Sequence, residues 1–169
     1  MDGVDDSGVE LRYVDFVRLR LPGLRRAAYL LCGDWDRGDD IVQKTITELH
    51  RKWKVVSKAD HLDAVVRSML FRRFLDERRR RWWQVRLVDE WPDSSGPASM
   101  DTADHLDLHA ALARLPAKAR ATVVLRYLYD LSVEQTAAEL GCSPGTVKSQ
   151  TARALAALRR LIETTPETS

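Results

Sequence analysis

Apolar residues recur at three- and four-residue intervals along most of the chain, and no stretch alternates with period two. The pattern therefore predicts helices and no sheet. Val14, Val17, Leu21, Leu24, Ala28 and Leu31 trace helical faces that should be interrupted near Pro22-Gly23, and Gly33-Asp34 should close the run. From about Asp36 to Trp53, Ile41, Val42, Thr45, Ile46 and Leu49 share one side, while Asp39, Asp40, Gln43 and Lys44 share the other. A loop, Lys54–Asp60, leads into a third helix from about His61 to Trp83, with Val65, Met69 and Phe74 spaced to face inward.

A second helical block begins near Leu106. Leu108, Ala111, Leu112 and Leu115 predict a short helix stopped before Pro116, and Ala119, Val123, Val124 and Tyr127 predict the next. Residues 133–152 then satisfy the stereochemistry of a helix-turn-helix. Ala137 is small where a second helix must cross, and Gly141 stands where a positive φ is needed. Ser143 is placed as an N-cap, Pro144 as the first helical residue, and Val147 as the return to the core. The outer face carries Thr146, Lys148, Ser149 and Arg153 with Gln150 beside them, side chains able to reach base edges and phosphates in a major groove. Leu155, Leu158 and Leu161 continue the apolar register of the last helix. The fold expected is all-α: two small helical domains, 11–86 and 106–163, joined by a flexible acidic linker over 87–105.

Charge sharpens this picture because it is segregated. The formal net charge is only +2. Yet Arg67, Arg72, Arg73 and Arg78–Arg81 crowd the third helix, where Asp76 and Glu77 cannot neutralise them, and such density suits phosphate. Trp53, Phe71, Trp82 and Trp83 lie among or near these cations. Aromatic rings there suit unpaired bases, although Phe71 and Trp82 fit a core position equally well. From Val88 to Asp107 there are six acidic residues and no Lys or Arg, the composition of a solvated linker or of an anionic strap that could occupy a basic channel. The acidic opening MDGVDDSGVE lacks the features of a signal peptide, and AAYLLC at 27–32 is too short to span a bilayer, so a cytoplasmic protein without membrane insertion is expected. Cys32 and Cys142 read as isolated structural thiols. The four histidines have no metal-spaced partners, and neither a phosphate loop nor a nucleophile motif is present, so no enzyme, metal or cofactor is expected.

Three segments in order carry a resemblance: DDIVQKTITELHRKW, the VVRSMLFRRFLDERRRR helix, and LPAKARATVVLRYLYDLSVEQTAAELGCSPGTVKSQTARALAALRRL. Together they resemble a bacterial RNA polymerase sigma factor. The two-domain length looks like the extracytoplasmic-function class, and FVRLRLPGLRRAAYLLCGD is similar to actinobacterial members. The resemblance implies a region 2-like bundle, a region 4-like helix-turn-helix domain, and core RNA polymerase and promoter DNA as partners, with an anti-sigma factor as a further candidate. Asp39, Asp40 and Gln43 match the segment that docks on core polymerase. The third helix and the loop before it match the element that opens and reads the −10 element, with Trp53, Arg72, Arg73, Asp76, Arg78, Arg79 and Arg80 as candidate contacts to the melted non-template strand. The recognition helix would read duplex −35 DNA through Lys148, Ser149 and Arg153, flanked by Ser143, Thr146 and Gln150, and the strap would thread the polymerase cleft. Departures include Arg72 where relatives usually carry asparagine, Lys44 in place of an acid, Gln150 in place of a frequent arginine, and the small Ala152. Two other readings stay open: a stand-alone helix-turn-helix regulator, and a sigma-like protein that is inactive or sequesters polymerase.

Overall fold

The computed structural model describes residues 3–84 and 106–163, and these form helices joined by short turns. Seven α-helices follow in order: α1 Gly3–Cys32, α2 Trp35–Val56, α3 Leu62–Gln84, α4 Leu106–Arg114, α5 Ala117–Val123, α6 Val133–Leu140 and α7 Pro144–Glu163. A π-helical turn, Val124–Leu128, extends α5. The helices group into two units, one from residues up to Tyr29 with Asp34–Phe74, the other from Leu30–Gly33 with the residues from Leu75 onward. The expected acidic linker, 87–105, lies outside the described residues, as do the side chains of Arg81, Trp82 and Trp83.

In the first unit α1 runs unbroken through Pro22, contrary to the expected interruption. Pro22 and Gly23 lie on the exposed side, where water can satisfy the carbonyl that loses its amide partner. Burial of Leu24, Ala27 and Ala28 just beyond outweighs a local cost of about 3 kcal/mol. Gly33, at φ 71°, ends the helix, and the Asp34 carboxylate caps α2 by accepting from the Asp36 amide at 2.8 Å. α1 and α2 then meet almost backbone to backbone. A Cβ on Gly38 would lie 3.2 Å from the Tyr29 nitrogen and 3.3 Å from the Ala28 carbonyl carbon. Further along, the Tyr13 hydroxyl donates to the Ile46 carbonyl at 2.8 Å and ties the same two helices. From α3, Val66, Met69, Leu70, Phe71 and Phe74 are buried, whereas Val65, expected inside, is only half-buried. Two bidentate or bridging ion pairs cross between helices. Arg20 grips Asp63 at 2.5 and 2.8 Å, and Arg73 meets Glu48 at 2.6 Å.

In the second unit α4, α5 and α6 all pack on α7. The core of α4, α5 and α7 is Ala111, Leu112, Leu115, Ala119, Val123, Ala154 and Leu158. Arg120 is buried beside it and donates to the Ala113 and Leu115 carbonyls at 2.8 and 2.9 Å, so the last carbonyls of α4 find a cationic partner. Two apolar expectations are corrected. Leu108 is 50% exposed, on the outer side of α4. Tyr127 is 57% exposed because the π turn, closed by Tyr129 N donating to Val124 O, widens the spiral and rotates the residue out of its 3.6-period face.

Candidate nucleic-acid interface

The helix-turn-helix is built by local chemistry. Ser132 and Gln135 form a reciprocal capping box, at 3.0 and 2.9 Å, that starts α6. Gly141 takes φ 64° and Cys142 N donates to Ala137 O, which turns the chain. Ser143 Oγ accepts from Thr146 N at 3.1 Å to start α7, and Val147 is fully buried against the shared core.

That geometry fixes what α7 presents. Lys148, Ser149 and Arg153 are exposed on one side, and neither cation pairs with a carboxylate among the described residues. Ser143 is exposed but occupied, since its hydroxyl also lies 2.9 Å from Thr146 Oγ1. Gln150 differs from its expected role as an outward contact. It is half-buried, with Oε1 2.9 Å from the hydroxyl of Thr122, a fully buried residue of α5 that also lies 2.8 Å from the Lys118 carbonyl. Its carbonyl oxygen is used to fix α7 against α5.

On α3, Arg72, Arg79 and Arg80 are exposed and make no ion pair among the described residues, and Asp76 is exposed near them. Arg78 is half-buried. Arg73, expected among these contacts, is half-buried and held by Glu48 at 2.6 Å, so part of its charge is answered inside the unit. Glu48 is pulled below the ordinary carboxylate range by hydrogen bonds, first from Lys52 and then from Arg73. Trp53 is a correction. It is 5% exposed, its Nε1–H donates to the Val9 carbonyl at 3.0 Å, and its ring meets Tyr13 and Phe16 at centroid distances of 5.4 and 5.5 Å. No face of that ring remains for a base. The signal was present in the sequence, because Trp53 continues the buried stripe Thr45–Leu49 at four-residue spacing. Phe71, equally balanced between core and stacking, is core at 2% exposure.

Asp39, Asp40 and Gln43 fall on the outer side of α2. Neither carboxylate is bare. Arg25 clamps Asp39 at 2.7 and 2.9 Å, holding its carboxyl below the usual range mainly through that hydrogen bond, and Lys44 pairs with Asp40 at 2.7 Å. Lys44, noted as a departure, is therefore the internal partner of the acid one turn before it. Missed altogether from sequence was Trp35. It stacks on Tyr29 at 4.0 Å and 7° and carries the Arg25 guanidinium 5.5 Å from its ring centre. Among the described residues no three His, Cys, Asp or Glu side chains converge as a metal site, both cysteines are free, and no helix is long and apolar enough to cross a membrane.

Comparison with known proteins follows the same division. Residues 105–158 match the family model of sigma-70 region 4, and residues 17–75 match the sigma2 domain of PhyR. The chain is 37% identical over 158 residues to the RNA polymerase sigma-E factor of Streptomyces coelicolor, covering 90% of this chain and 86% of that protein. It is 35% identical to the ECF RNA polymerase sigma factor SigM of Mycobacterium tuberculosis, covering 82% of this chain and 71% of the relative. Among solved structures it resembles the sigma factor RpoE of Bartonella quintana, crystallised with the anti-sigma factor NepR. The TM-score is 0.70 at 28% identity, over 92% of this chain and 99% of that one.

Proposed function

The chain belongs to the RNA polymerase sigma factors of the extracytoplasmic-function class, and on that premise we propose that it binds core RNA polymerase and directs it to promoters through two separate readings of DNA. The outer side of α7 reads the −35 element as duplex. Lys148 and Arg153 bring charge-assisted donors to phosphate or base edges, and Ser149 adds a small hydroxyl that lets the helix approach closely. Arg72, Arg79 and Arg80 on α3 take the −10 region, where their guanidinium groups meet the phosphates of the separated strand. Because Trp53 and Phe71 are core, strand capture at this face is chiefly electrostatic as far as those two rings are concerned. The ridge of α2 carrying Asp39, Asp40 and Gln43 docks on polymerase. The chain supplies no reacting group, and the chemistry of RNA synthesis stays with the polymerase.

One observation carries this reading. A single chain holds, in order, a region 2-like match and a region 4-like match, each presenting unpaired cations on an exposed helix side. The anti-sigma factor bound to the RpoE neighbour supports a protein regulator of the same kind here. Reconstitution with core polymerase on a set of promoter templates tests the proposal. Promoter-dependent transcripts that require both elements are expected. Footprinting of duplex DNA by the chain alone, with no transcript on adding core enzyme, would instead mark a stand-alone regulator.

A further inference from the structure

Trp35, Asp39 and Gln43 are spaced by four residues along α2, so they form one ridge on its surface. The first of the three is the odd one. Trp35 is 48% exposed at the first position of a helix whose start is already secured by the Asp34 cap, so capping does not call for an indole there and half of it faces outward. It is nevertheless braced, with Tyr29 stacked on the ring and the Arg25 guanidinium over it, 5.5 Å from its centroid. Its Nε1–H makes no hydrogen bond within the described residues, unlike that of Trp53. The charges on the neighbouring ridge are meanwhile internally balanced, Asp39 by Arg25 and Asp40 by Lys44. Bare Coulomb attraction is thus a weak source of affinity at this face, since a partner cation must first displace a bidentate or a one-turn ion pair.

We propose that Trp35, braced by Tyr29 and Arg25, is the anchor by which this chain docks on core RNA polymerase, with Asp39, Asp40 and Gln43 as the polar surround. This rests on the reading of α2 as the docking element. A half-exposed aromatic ring whose rotamer is fixed before binding loses little entropy on docking, and Trp, Tyr and Arg are the side chains that dominate interface energetics. The complementary polymerase surface offers an apolar side chain against the part of the indole that Tyr29 and Arg25 leave exposed, and an acceptor for its N–H. Continuity along one ridge selects polymerase as the occupant.

The experiment titrates fluorescently labelled core polymerase with the full chain and its variants, each checked by far-UV circular dichroism. Trp35→Ala should weaken association on the order of tenfold. Trp35→Phe, which keeps a ring on Tyr29 but removes the N–H, should lose less. Gln43→Ala and Asp40→Ala test the underlying docking face separately. If those two weaken binding while Trp35→Ala binds like the parent, the ridge docks but the anchor is overturned. If none of the three affects an otherwise tight complex, the docking face itself is wrong and the anchor falls with it. Should Trp35→Ala disturb the helix, 5-fluorotryptophan labelling decides. The fluorine resonance missing from Trp35→Phe must shift when core polymerase is added, and an unmoved resonance overturns the proposal.

Discussion

Two buried threonines of the second unit should respond to the same substitution with opposite sign. Thr136, in α6, and Thr122, in α5, are both fully buried. The Thr122 hydroxyl lies 2.8 Å from the Lys118 carbonyl and 2.9 Å from the Gln150 amide. The Thr136 hydroxyl has no partner among the described residues, although its backbone N–H is satisfied by the Ser132 carbonyl at 2.9 Å. A buried hydroxyl without a hydrogen bond costs about 1–3 kcal/mol, whereas a satisfied one contributes roughly 1 kcal/mol net. Valine has nearly the shape of threonine and the same branching, so neither cavity nor helix propensity intervenes. Thr136→Val should therefore stabilise by about 1–2 kcal/mol, and Thr122→Val should destabilise by about 1 kcal/mol while freeing Gln150. For a unit of this size each kcal/mol moves the melting temperature by roughly 4–8 °C. Urea and thermal unfolding of the full chain, followed by far-UV circular dichroism, read both effects. An unchanged or lowered stability of Thr136→Val refutes the reasoning, since it would mean that the hydroxyl is satisfied and its burial costs nothing.

Other consequences are equally open to measurement. Gly38→Ala should destabilise by about 1–3 kcal/mol despite a favourable helix-propensity change near 1 kcal/mol, because the new methyl meets the α1 backbone at 3.2–3.4 Å; denaturant midpoints check the sign. The carboxyls of Asp63 and Glu48 are depressed by hydrogen bonds, first from Arg20 and first from Lys52 respectively. Depressed carboxyls stabilise fully above their unfolded values of 3.8 and 4.5, and that contribution is lost as pH falls through their lower folded values. Melting of the first unit should therefore fall on acidification below pH 4.5, and the fall should shrink in Asp63→Asn with Glu48→Gln. Lys148→Ala and Arg153→Ala should each weaken −35-dependent transcription. A variant that loses a phosphate contact should also lower the salt slope of DNA binding by about one, whereas Gln150→Ala should leave that slope unchanged.

How much of this was legible beforehand depended on how local the cause was. The helix-turn-helix could be read because each of its boundaries is set by neighbours in sequence: Ser132 with Gln135, Gly141 in its left-handed turn, and Ser143 with Thr146. α6 accordingly starts at Val133, where the expected helix-turn-helix of residues 133–152 begins, and ends at Leu140, just before Gly141. Pro22 misled because tertiary burial of the residues after it outweighed its own propensity. Tyr127 misled because a π turn changes the angular step, and no residue type announces one. Arg73 and Trp53 looked like nucleic-acid contacts because charge and aromaticity name chemical capacity without naming direction; Glu48 and Tyr13, distant in sequence, decide the direction. The internal partners of Asp39 and Arg120 were likewise set by other helices and could not be counted from spacing.

The widened turn at Val124–Leu128 has one further consequence, for how such a chain can change over evolutionary time. A π turn accommodates a surplus residue, so losing one position there would restore an ordinary spiral and not break the helix. Because one wide turn covers about the rotation of one ordinary turn, everything downstream would keep nearly the same phase. Length at this point thus works as a local reserve, able to give up one residue while the reading helix keeps its seat on α4, α5 and α6 and the same side chains toward DNA.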